Sequence, residues 1–425
     1  MDNKEAIIIV GAGASGLIAA RELLKKGKKI ILIEARDRLG GRAHTLYEKN
    51  NSIPIEAGAE FIHGELPITF KLVKEYGLSF YKTGGKMINL DEKDEQLQEE
   101  EGEGWALMMD KMKKLKEDLP FAVFLSTYFP EDKYKHLRKS AENFANGYDL
   151  ANPQTASTFS LRDEWENDEG DQFRIKGGYK KLIDALNEDC LNRGCEIYTS
   201  EIVKEIIWKK SGATIITNTG QEFMASKVVI TIPAGVWHSD ETDEAVIKFN
   251  PAIPKKIYAF KEIGFGSIIK IMLHFKNAFW EEKYKNAGFF FIKEQVPVWW
   301  TQAPEKNNLI TGWLGGEPAK KMQSKSEKEL LETSLQSLAS AFKIEKDYLK
   351  EILISSHIFN WDDDSFSRGG YSFSMLNSST AKEELRKSVD NILFFAGEAL
   401  YEGTMQGTIE AALWSGLDCV DRMKS

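Results

Sequence analysis

Three glycines near the start of the chain have the spacing of a loop that binds phosphate. Gly11, Gly13 and Gly16 form the pattern GxGxxG between the apolar run AIIIV and the helical pattern LIAARELLKKG. In that context the helix N-terminus offers free N–H groups and a positive dipole end to the phosphates of a dinucleotide. Gly11 is expected to permit the tight turn, Gly13 the approach of a pyrophosphate, and Gly16 close packing of helix on strand. The alternative is a helix that only packs on its strand through glycine.

A carboxylate at the end of the next predicted strand fits the same chemistry. The run KIILIEA closes a βαβ unit at Glu34, which can accept hydrogen bonds from ribose hydroxyls. An acidic residue at this place favours an adenine dinucleotide without a 2′-phosphate. The N-terminal part of the chain therefore predicts a Rossmann-like α/β domain.

The whole chain is long enough for more than this one domain. At 425 residues it exceeds the size at which a single hydrophobic core usually keeps growing, so we expect two domains or one domain with a large insertion. The formal charge of −9, without any block dominated by Lys or Arg, argues against nucleic acid as a partner. A small cationic substrate suits that charge better.

The cysteines and the two chain ends predict a reduced, cytoplasmic and soluble protein. Cys190, Cys195 and Cys419 are too few and too irregular for a disulfide framework, and with six scattered histidines they show no zinc spacing. Residues 1–6, MDNKEA, lead straight into the first strand and leave no room for the apolar region of a signal peptide. No run approaches the roughly eighteen apolar residues of a membrane span, and the chain stops at Ser425 without a hydrophobic tail.

A helical insertion is predicted after the first domain segment. Residues 91–104, DEKDEQLQEEEGEG, are nearly all polar and acidic, which indicates a solvated loop or helix end. Apolar residues then fall at helical spacing, and helices are expected to continue to about Leu150. These residues are Met108, Met112, Leu115 and Leu119. We interpret them as core rather than as cofactor contacts.

Strand patterns dominate the second half of the chain. A glycine pair in RIKGGYKKLIDAL, residues 174–186, precedes another helix, and EIYTSEIVKEIIWKK, GATIITNTG and KVVITIP then read as strand-like runs. Aromatic residues are dense between 279 and 313, which is typical of a packed sheet or of walls around a flat cofactor.

GAGASGL, EARDRLGGR and IEAGAEFIHG resemble the N-terminal signature of the flavin-dependent amine oxidase family. That family includes monoamine oxidases, polyamine oxidases and histone lysine demethylases. FFAGE and the glycine-rich helix start after it resemble the C-terminal half, and the runs VVITIPAGV, GSIIKIML and FNWDDDSFSRGGYSFSM fill the gap. The resemblance covers nearly the whole chain and implies that both chain ends hold one FAD.

The resemblance also implies which residues hold the cofactor. Arg42 would lie along the FAD, Val203 would meet the adenine end through its backbone, and Glu398 would lie near the ribityl and phosphate side. A helix from about Met405 would aim its N-terminus at the isoalloxazine ring. The predicted cofactor-binding residues are Gly11, Gly13, Ala14, Ser15, Gly16, Glu34, Ala35, Arg36, Gly41, Arg42, Gly58, Ala59, Glu60, Val203, Gly397, Glu398, Thr404 and Met405.

Three residues are predicted to take part in catalysis. Lys270 lies in the apolar run GSIIKIML, where the alternative is an outward-facing residue on an edge strand. By resemblance it holds a water against the flavin atom that receives the hydride. Tyr371 matches the first of two tyrosines that face each other in monoamine oxidases, whereas Thr404 stands at the place of the second. Gly370 stands where those enzymes carry the cysteine that bonds to the flavin, so FAD is expected to bind non-covalently.

These departures favour the polyamine oxidase and demethylase side of the family, although the chain lacks the inserted coiled coil of the demethylases. Among other candidates, His63 is interpreted as a structural residue that forms hydrogen bonds. Trp299, Trp300 and Trp313 are expected either to wall the pocket or to pack in the core. The segments 81–169 and 279–330, which would supply the pocket walls, carry no motif that specifies the amine.

The implied reaction is oxidation of a C–N bond of a small amine or polyamine to an imine and then a carbonyl, with dioxygen reduced to hydrogen peroxide. The alternatives are a related flavin desaturase, isomerase or amino-acid oxidase, and a non-catalytic FAD-binding protein. The expected fold is α/β, with a Rossmann-like FAD-binding domain and a second α+β substrate-binding domain that contains the helical insertion. The first domain would comprise residues 1–80, 170–238 and 385–425, and the second 81–169 and 239–384.

Overall fold

A computed structural model describes residues 5–48, 51–90, 95–167 and 170–423. Most of the segment MDNKEA, the first four residues of the acidic stretch 91–104, and Ser425 lie outside these ranges, so the expectations placed on them stay predictions. The strands of the described chain are β1 Ile7–Val10, β2 Ile30–Ile33, β3 Thr45–Glu48, β4 Asn51–Glu56, β5 Ile62–His63, β6 Phe80–Lys82, β7 Lys86–Asn89, β8 Gln172–Ile175, β9 Glu196–Tyr198, β10 Val203–Lys209, β11 Gly212–Thr217, β12 Glu222–Ala225, β13 Lys227–Ile230, β14 Lys248–Asn250, β15 Ile263–Phe265, β16 Ile268–Phe275, β17 Ala287–Phe291, β18 Val298–Thr301, β19 Leu309–Gly315, β20 Leu353–Asn360, β21 Ser372–Ser374 and β22 Leu393–Phe395.

Helices connect and cover these strands. They are α1 Ala14–Lys25, α2 Pro67–Glu75, α3 Glu95–Lys114, α4 Phe121–Tyr128, α5 Lys135–Gly147, α6 Thr158–Asn167, α7 Lys180–Asn192, α8 Ala234–His238, α9 Pro254–Lys261, α10 Glu317–Met322, α11 Glu327–Phe342, α12 Lys346–Ile352, α13 Ser378–Arg386 and α14 Ile409–Arg422. Within the described ranges, none of them is both long and apolar enough to cross a membrane.

A five-stranded parallel sheet brings the two ends of the chain together. Its strand order is β22-β13-β1-β2-β9, so the C-terminal strand β22 lies at one edge and the N-terminal βαβ unit lies inside. Every residue of β1 and β2 is buried, as expected for parallel strands that are covered on both faces. Helices α1 and α14 pack against each other on one face. The predicted βαβ unit is present.

The loop between β1 and α1 is as tight as the glycine motif predicts. Gly11 has a φ of +102°, a conformation that residues with a side chain rarely adopt. A Cβ at Gly16 would lie 1.9 Å from the carbonyl oxygen of Gly11, so only glycine lets α1 approach the end of β1. The separate roles expected for these two glycines match the structure.

A six-stranded sheet forms the second layer that borders the site. Its order is β20-β16-β19-β18-β17-β7, and β16 lies between two antiparallel neighbours. The aromatic residues predicted to pack in a sheet fill the core between these strands and helices α11 and α12, with Trp280, Phe290 and Trp299 fully buried. Strand β16 is therefore rigidly held on both sides.

The helical insertion extends further than the sequence predicts. Helices α3, α4 and α5 are followed by α6, so the insertion ends at Asn167 rather than near Leu150. Met108 and Met112 are fully buried in its core, which confirms the interpretation of the methionine stripe. Leu115 and Leu119 lie beyond the end of α3 at Lys114.

The strands predicted from residue 196 onwards are present, and they are divided between two sheets. The run EIYTSEIVKEIIWKK divides into β9, which joins the parallel sheet, and β10, which joins β11, β12 and β14 in a second sheet. The division of the chain into two domains stays a prediction. Strand β14, placed by that prediction in the substrate domain, pairs in parallel with β10.

We predict that Gly16→Ala destabilises the protein. The new methyl group must displace the backbone of Gly11, and such overpacking typically lowers the free energy of unfolding by about 1–3 kcal/mol. Chemical unfolding with FAD in excess measures this change. Gly102→Ala is the control, because a Cβ there meets nothing within 4 Å on an exposed part of α3. Equal unfolding midpoints for the two variants would contradict the packing role of Gly16.

Candidate active site

A large cavity runs between the parallel sheet and the six-stranded sheet. Its volume is about 1920 Å³. Pockets for small ligands usually measure roughly 300–1,000 Å³, so this cavity can hold a dinucleotide and a second ligand together. One end is lined by the loop between β1 and α1, and the other by aromatic residues of the six-stranded sheet.

The end of the cavity at α1 fits a phosphate group. Gly13 is the N-cap of α1 and no side chain caps the helix, so its first N–H groups are open to a ligand. Ser15 is buried, and in the described chain its hydroxyl has no hydrogen-bond partner. A Cβ at Gly13 would meet no protein atom within 4 Å. An orphaned hydroxyl beside an uncapped helix start is what a bound pyrophosphate would satisfy.

Glu34 lies at the C-terminal end of β2 and lines the cavity beside this loop. One carboxylate oxygen accepts a hydrogen bond from the backbone N–H of Ala12 at 2.7 Å, and the other accepts from that of Arg36 at 2.9 Å. These bonds fix the carboxylate and leave further lone pairs for ribose hydroxyls. The position therefore suits the role predicted for Glu34.

Two arginines of the segment EARDRLGGR tie it to the distant segment SFSRGGY. Arg36 donates to the Asp364 carboxylate and, at 3.0 Å, to the Ser367 hydroxyl. Arg42 donates from Nη1 to the Gly370 carbonyl oxygen at 2.6 Å and to a carboxylate oxygen of Glu398 at 3.1 Å. The cavity wall is thus assembled from parts of the chain that lie far apart in sequence.

The Glu398 carboxylate is fully engaged by protein groups. Besides Arg42, it accepts from the backbone N–H and the hydroxyl of Ser372, at 3.0 and 2.6 Å, and from the N–H of Gly407 at 3.1 Å. It is buried but lines the cavity. Its predicted contact with the cofactor stays a prediction, and its evident task is to hold the loop before α14 against β21.

The helix predicted from about Met405 begins four residues later. Thr408 caps α14, and its hydroxyl accepts from the N–H of Ala411 at 3.2 Å. Thr404 and Met405 line the cavity from the loop that precedes the helix. Gly407, with a φ of +73°, turns the chain and delays the helix start. Because Thr408 and Ile409 also line the cavity, the helix N-terminus still faces it, and its expected direction toward the isoalloxazine ring stays a prediction.

Lys270 is buried in the cavity wall, with 2% of its surface exposed. Its Nζ donates to a carboxylate oxygen of Glu60 at 2.7 Å and to the Gly58 carbonyl oxygen at 3.0 Å. The ammonium also lies 5.3 Å from the ring centre of Trp300. The alternative of an outward-facing residue on an edge strand is wrong, because β16 is an inner strand and the side chain is enclosed.

Glu60 has more hydrogen-bond donors around it than the sequence indicates. Apart from Lys270, Arg174 Nε and Trp300 Nε1 each donate to it at 3.0 Å, and Gln302 Nε2 donates at 3.3 Å. Burial alone would raise the pKa of Glu60, but the charges of Lys270 and Arg174 outweigh it and lower that pKa to about 2. Glu60 is therefore a carboxylate at all ordinary pH values.

Aromatic rings wall the end of the cavity beyond Lys270. Trp300, Trp313, Tyr371, Phe61 and Tyr148 line it. The Tyr371 hydroxyl donates to the Tyr148 carbonyl oxygen, and burial raises the pKa of Tyr371 well above its usual range. The Tyr371 hydroxyl is therefore neutral at ordinary pH, and its predicted catalytic role stays a prediction. Thr404 supplies no ring, and within the cavity lining Trp300 and Trp313 are rings from the six-stranded sheet.

The remaining candidates, three tryptophans and one histidine, differ in whether they line the cavity. Trp299 is fully buried, donates to the Val296 carbonyl oxygen at 3.0 Å and lies outside the cavity lining, whereas Trp300 and Trp313 line the cavity. His63 also lines it, and its ring nitrogen lies 3.4 Å from Gln172 Nε2. Burial lowers the pKa of His63 to about 4, so the imidazole is neutral near neutral pH.

The predicted site residues meet in this one cavity, with Gly16 as the exception. Gly16 packs behind the loop, while all the others line the cavity wall. These are Gly11, Gly13, Ala14, Ser15, Glu34, Ala35, Arg36, Gly41, Arg42, Gly58, Ala59, Glu60, Val203, Lys270, Tyr371, Gly397, Glu398, Thr404 and Met405. Their roles toward FAD and substrate stay predictions.

Several residues that support or complete the cavity wall were not predicted from the sequence. Arg174 and Gln302 contact Glu60 without lining the cavity, and Phe61 and Tyr148 supply rings. Arg174 carries the one available signal, since a charged residue stands in the strand QFRI beside the buried Ile175. A buried arginine of this kind requires an anionic partner.

Known proteins are similar to the chain over nearly its whole length. The sequence profile of the family described as flavin containing amine oxidoreductase matches residues 14–423. Polyamine oxidase 2 of Arabidopsis thaliana is 27% identical over an alignment of 463 residues, gaps included, which covers 97% of this chain and 88% of that relative. Lysine-specific histone demethylase 2 of Homo sapiens is 25% identical over 460 residues, which cover 98% of this chain but only 53% of that relative.

Solved structures of amine oxidases share the fold. Putrescine oxidase bound to putrescine aligns with a TM-score of 0.80 at 20% identity, covering 98% of each chain. Cyclohexylamine oxidase from Brevibacterium oxydans IH-35A aligns with a TM-score of 0.79, also at 20% identity and with 98% of each chain covered. This likeness confirms the predicted fold class, an α/β FAD-binding domain with a second substrate-binding domain.

We predict that FAD is released by denaturation. Gly370 offers no thiol for a covalent link, and a Cβ there would already lie 2.7 Å from Leu150 Cδ1. Acid or heat precipitation should therefore leave the yellow flavin in the supernatant, where absorbance measures it. Flavin that stays with the washed pellet would contradict non-covalent binding.

We predict that Glu34 variants bind FAD more weakly. Glu34→Gln keeps one acceptor oxygen and should cost at most about 1.5–3 kcal/mol of binding free energy, the usual range for a hydrogen bond to a charged group. Glu34→Ala should cost more. Fluorescence titration of the FAD-free protein measures the affinity, and Asp37→Asn, an exposed residue outside the cavity lining, is the control. Parent-like affinity in Glu34→Ala would show that this βαβ unit does not hold the ribose.

Proposed function

We propose, from the premise that the chain belongs to the flavin containing amine oxidoreductase family and is an FAD-dependent amine oxidase, that it oxidises a C–N bond of a small amine or polyamine. The product is an imine, which water hydrolyses to a carbonyl compound, and dioxygen is reduced to hydrogen peroxide. The observation that carries the proposal is one continuous cavity that joins the uncapped start of α1, the buried Lys270 ammonium and an aromatic chamber. The aromatic chamber is the end of the cavity that is lined by Phe61, Tyr148, Trp300, Trp313 and Tyr371.

The residues at the β1–α1 end would hold the cofactor. The open N–H groups at the start of α1 and the Ser15 hydroxyl would bind its pyrophosphate, and the Glu34 carboxylate its adenosine ribose. When bound, FAD supplies the acceptor for a hydride from the carbon beside the amine nitrogen. The protein supplies orientation and a cavity from which most water is excluded.

The aromatic chamber would receive the amine. Rings of Trp300, Trp313 and Tyr371 can attract an alkylammonium ion through their π-faces and contact its apolar chain. The amine must lose its proton before its α-carbon can give up a hydride. A largely apolar chamber favours the neutral amine, because burial disfavours the charged form. The chamber therefore serves both binding and activation.

Relatives support the choice of substrate class. Polyamine oxidase 2 and putrescine oxidase are named for small polyamines and diamines, and their sequence or fold aligns with nearly the whole chain. The histone demethylase relative is almost twice as long as its matched part, so its substrate carries less weight. We also propose that the protein is cytoplasmic, as the absence of a disulfide framework among its three cysteines predicts.

An anaerobic panel of amines tests the proposal. Mono-, di- and polyamines should bleach the flavin absorbance at differing rates, and admission of air should restore it with one hydrogen peroxide formed per amine oxidised. If no amine in the panel bleaches the flavin, or if air restores it without peroxide, the proposed reaction is wrong.

Lys270 should be required for fast turnover. We propose that its ammonium holds a water and a positive charge beside the reacting end of the cofactor. Lys270→Met keeps the length of the side chain, but reduction by amine, reoxidation by dioxygen, or both should slow by about tenfold or more. Stopped-flow absorbance measures the two half-reactions separately.

A second buried lysine provides the control for this variant. Lys256 is equally enclosed and donates to a carboxylate oxygen of Glu384 at 3.0 Å, but it lies outside the cavity lining. Lys256→Met should lose stability without slowing either half-reaction. Unchanged rates in Lys270→Met, at an FAD content equal to that of the parent, would remove Lys270 from the mechanism.

A further inference from the structure

The Lys270 ammonium is held in place by two fixed acceptors. The Gly58 carbonyl oxygen and a Glu60 carboxylate oxygen accept two of its three N–H groups, at 3.0 and 2.7 Å. Within the described chain the third N–H has no acceptor, and Lys270 lines the cavity. The ammonium can therefore offer one donor to a group inside the cavity without giving up its anchors.

Glu60 is itself fixed from behind the cavity wall. Arg174 contacts it with Nε at 3.0 Å and with Nη2 at 2.9 Å, and does not contact Lys270. Arg174 is anchored in turn by the carbonyl oxygens of Thr301 and Ala303, at 3.1 and 3.2 Å, and by the Phe61 ring at 4.6 Å. A chain of contacts thus runs from Arg174 through Glu60 to Lys270.

The charges of this cluster explain why such support is needed. An ammonium without a counter-ion in a buried wall is strongly disfavoured, and removal of one partner from a buried ion pair leaves the other charge uncompensated. Glu60 compensates Lys270, and Arg174 keeps Glu60 ionised. The three groups together carry one net positive charge, which is placed at the cavity wall.

We propose that Glu60, fixed by Arg174, is a positioning residue that keeps the Lys270 ammonium at the reacting end of the cavity, where its charge promotes the reaction of reduced FAD with dioxygen. This inference rests on the proposed role of Lys270. Dioxygen gains two electrons and a proton from reduced FAD and a second proton from solvent, and leaves as hydrogen peroxide. A fixed positive charge stabilises the negative charge that dioxygen acquires on the way.

The direction in which Glu60→Gln changes the reoxidation rate distinguishes this positioning role from a direct electrostatic effect of the Glu60 charge. A carboxylate that acted only through its own charge would oppose negative charge on dioxygen, so Glu60→Gln would then speed reoxidation. If Glu60 acts by holding Lys270, the same substitution must slow it. The two explanations predict opposite changes in one measurement.

The experiment reduces the flavin photochemically, without any amine, and follows its reoxidation after mixing with dioxygen. We expect Glu60→Gln to slow reoxidation by about tenfold or more in the parent and to change it by less than about twofold in the Lys270→Met background. The flavin midpoint potential, measured by equilibration with a dye, should fall in Glu60→Gln and in Lys270→Met, and no further in the double variant.

Arg174→Lys gives an independent test if Glu60→Gln fails to retain FAD. It keeps the charge but loses the planar, two-point contact with Glu60 and touches neither Lys270 nor the cavity. Reoxidation should slow severalfold in the parent and stay unchanged in the Lys270→Met background. Glu410→Gln is the control, because Glu410 is an equally buried glutamate that accepts its hydrogen bonds from Ile68 and Thr69 and lies outside the cavity lining.

Each outcome decides the inference. Faster or unchanged reoxidation in Glu60→Gln, or effects that multiply in the double variant, would overturn it, and so would an equal slowing in Glu410→Gln. Because no amine is used, failure of every amine to bleach the flavin would refute the proposed function and leave this test intact. Unchanged reoxidation in Lys270→Met would refute the role of Lys270 and this inference with it.

Discussion

The Lys270 ammonium can lie in the cavity wall only because a carboxylate lies beside it. That requirement joins elements from three distant parts of the sequence: β16 carries Lys270, the loop after β4 carries Glu60, and β8 carries Arg174. Trp300 of β18 closes the cluster through its indole N–H. The six-stranded sheet is thereby fixed against the segment that follows the dinucleotide-binding unit, and the cavity between them acquires a defined shape.

A second set of charged contacts fixes another part of the cavity wall. Glu398, near the C-terminus, accepts from Arg42 of the N-terminal segment and from Ser372 and Gly407. The same arginine reaches the Gly370 carbonyl oxygen. In both clusters a buried carboxylate accepts hydrogen bonds from several protein groups, and such networks favour a unique arrangement over a loose one. The protein's own contacts therefore define these parts of the cavity wall.

The local part of this arrangement could be predicted from sequence. Gly11, Gly16 and Glu34 act within one βαβ unit, so spacing along the chain is enough to assign their roles. The contact of Lys270 with Glu60 spans 210 residues, and no local pattern specifies it. The resemblance to a family identified both residues as site residues but not their mutual contact, because it aligns motifs and not pairs of side chains.

The predicted start of α14 and the predicted end of the insertion were wrong for a related reason. The glycine-rich run before α14 is compatible with a helix from Met405, but Gly407 has a positive φ, and the Tyr371 ring lies 2.6 Å from the position of an added Cβ. Tertiary packing therefore decides where the helix begins. The same limit applies to α6, which extends the insertion beyond Leu150 and packs its Leu161 in the core formed with Met108 and Met112.

The end of α5 gives the helical insertion a direct influence on the aromatic chamber. The Gly147 carbonyl oxygen accepts from Trp313 Nε1 at 2.7 Å, and the next carbonyl oxygen, of Tyr148, accepts from the Tyr371 hydroxyl. Two rings on different elements are thus oriented by successive residues of the insertion. The segment that sequence motifs describe least therefore helps to shape the aromatic end of the cavity.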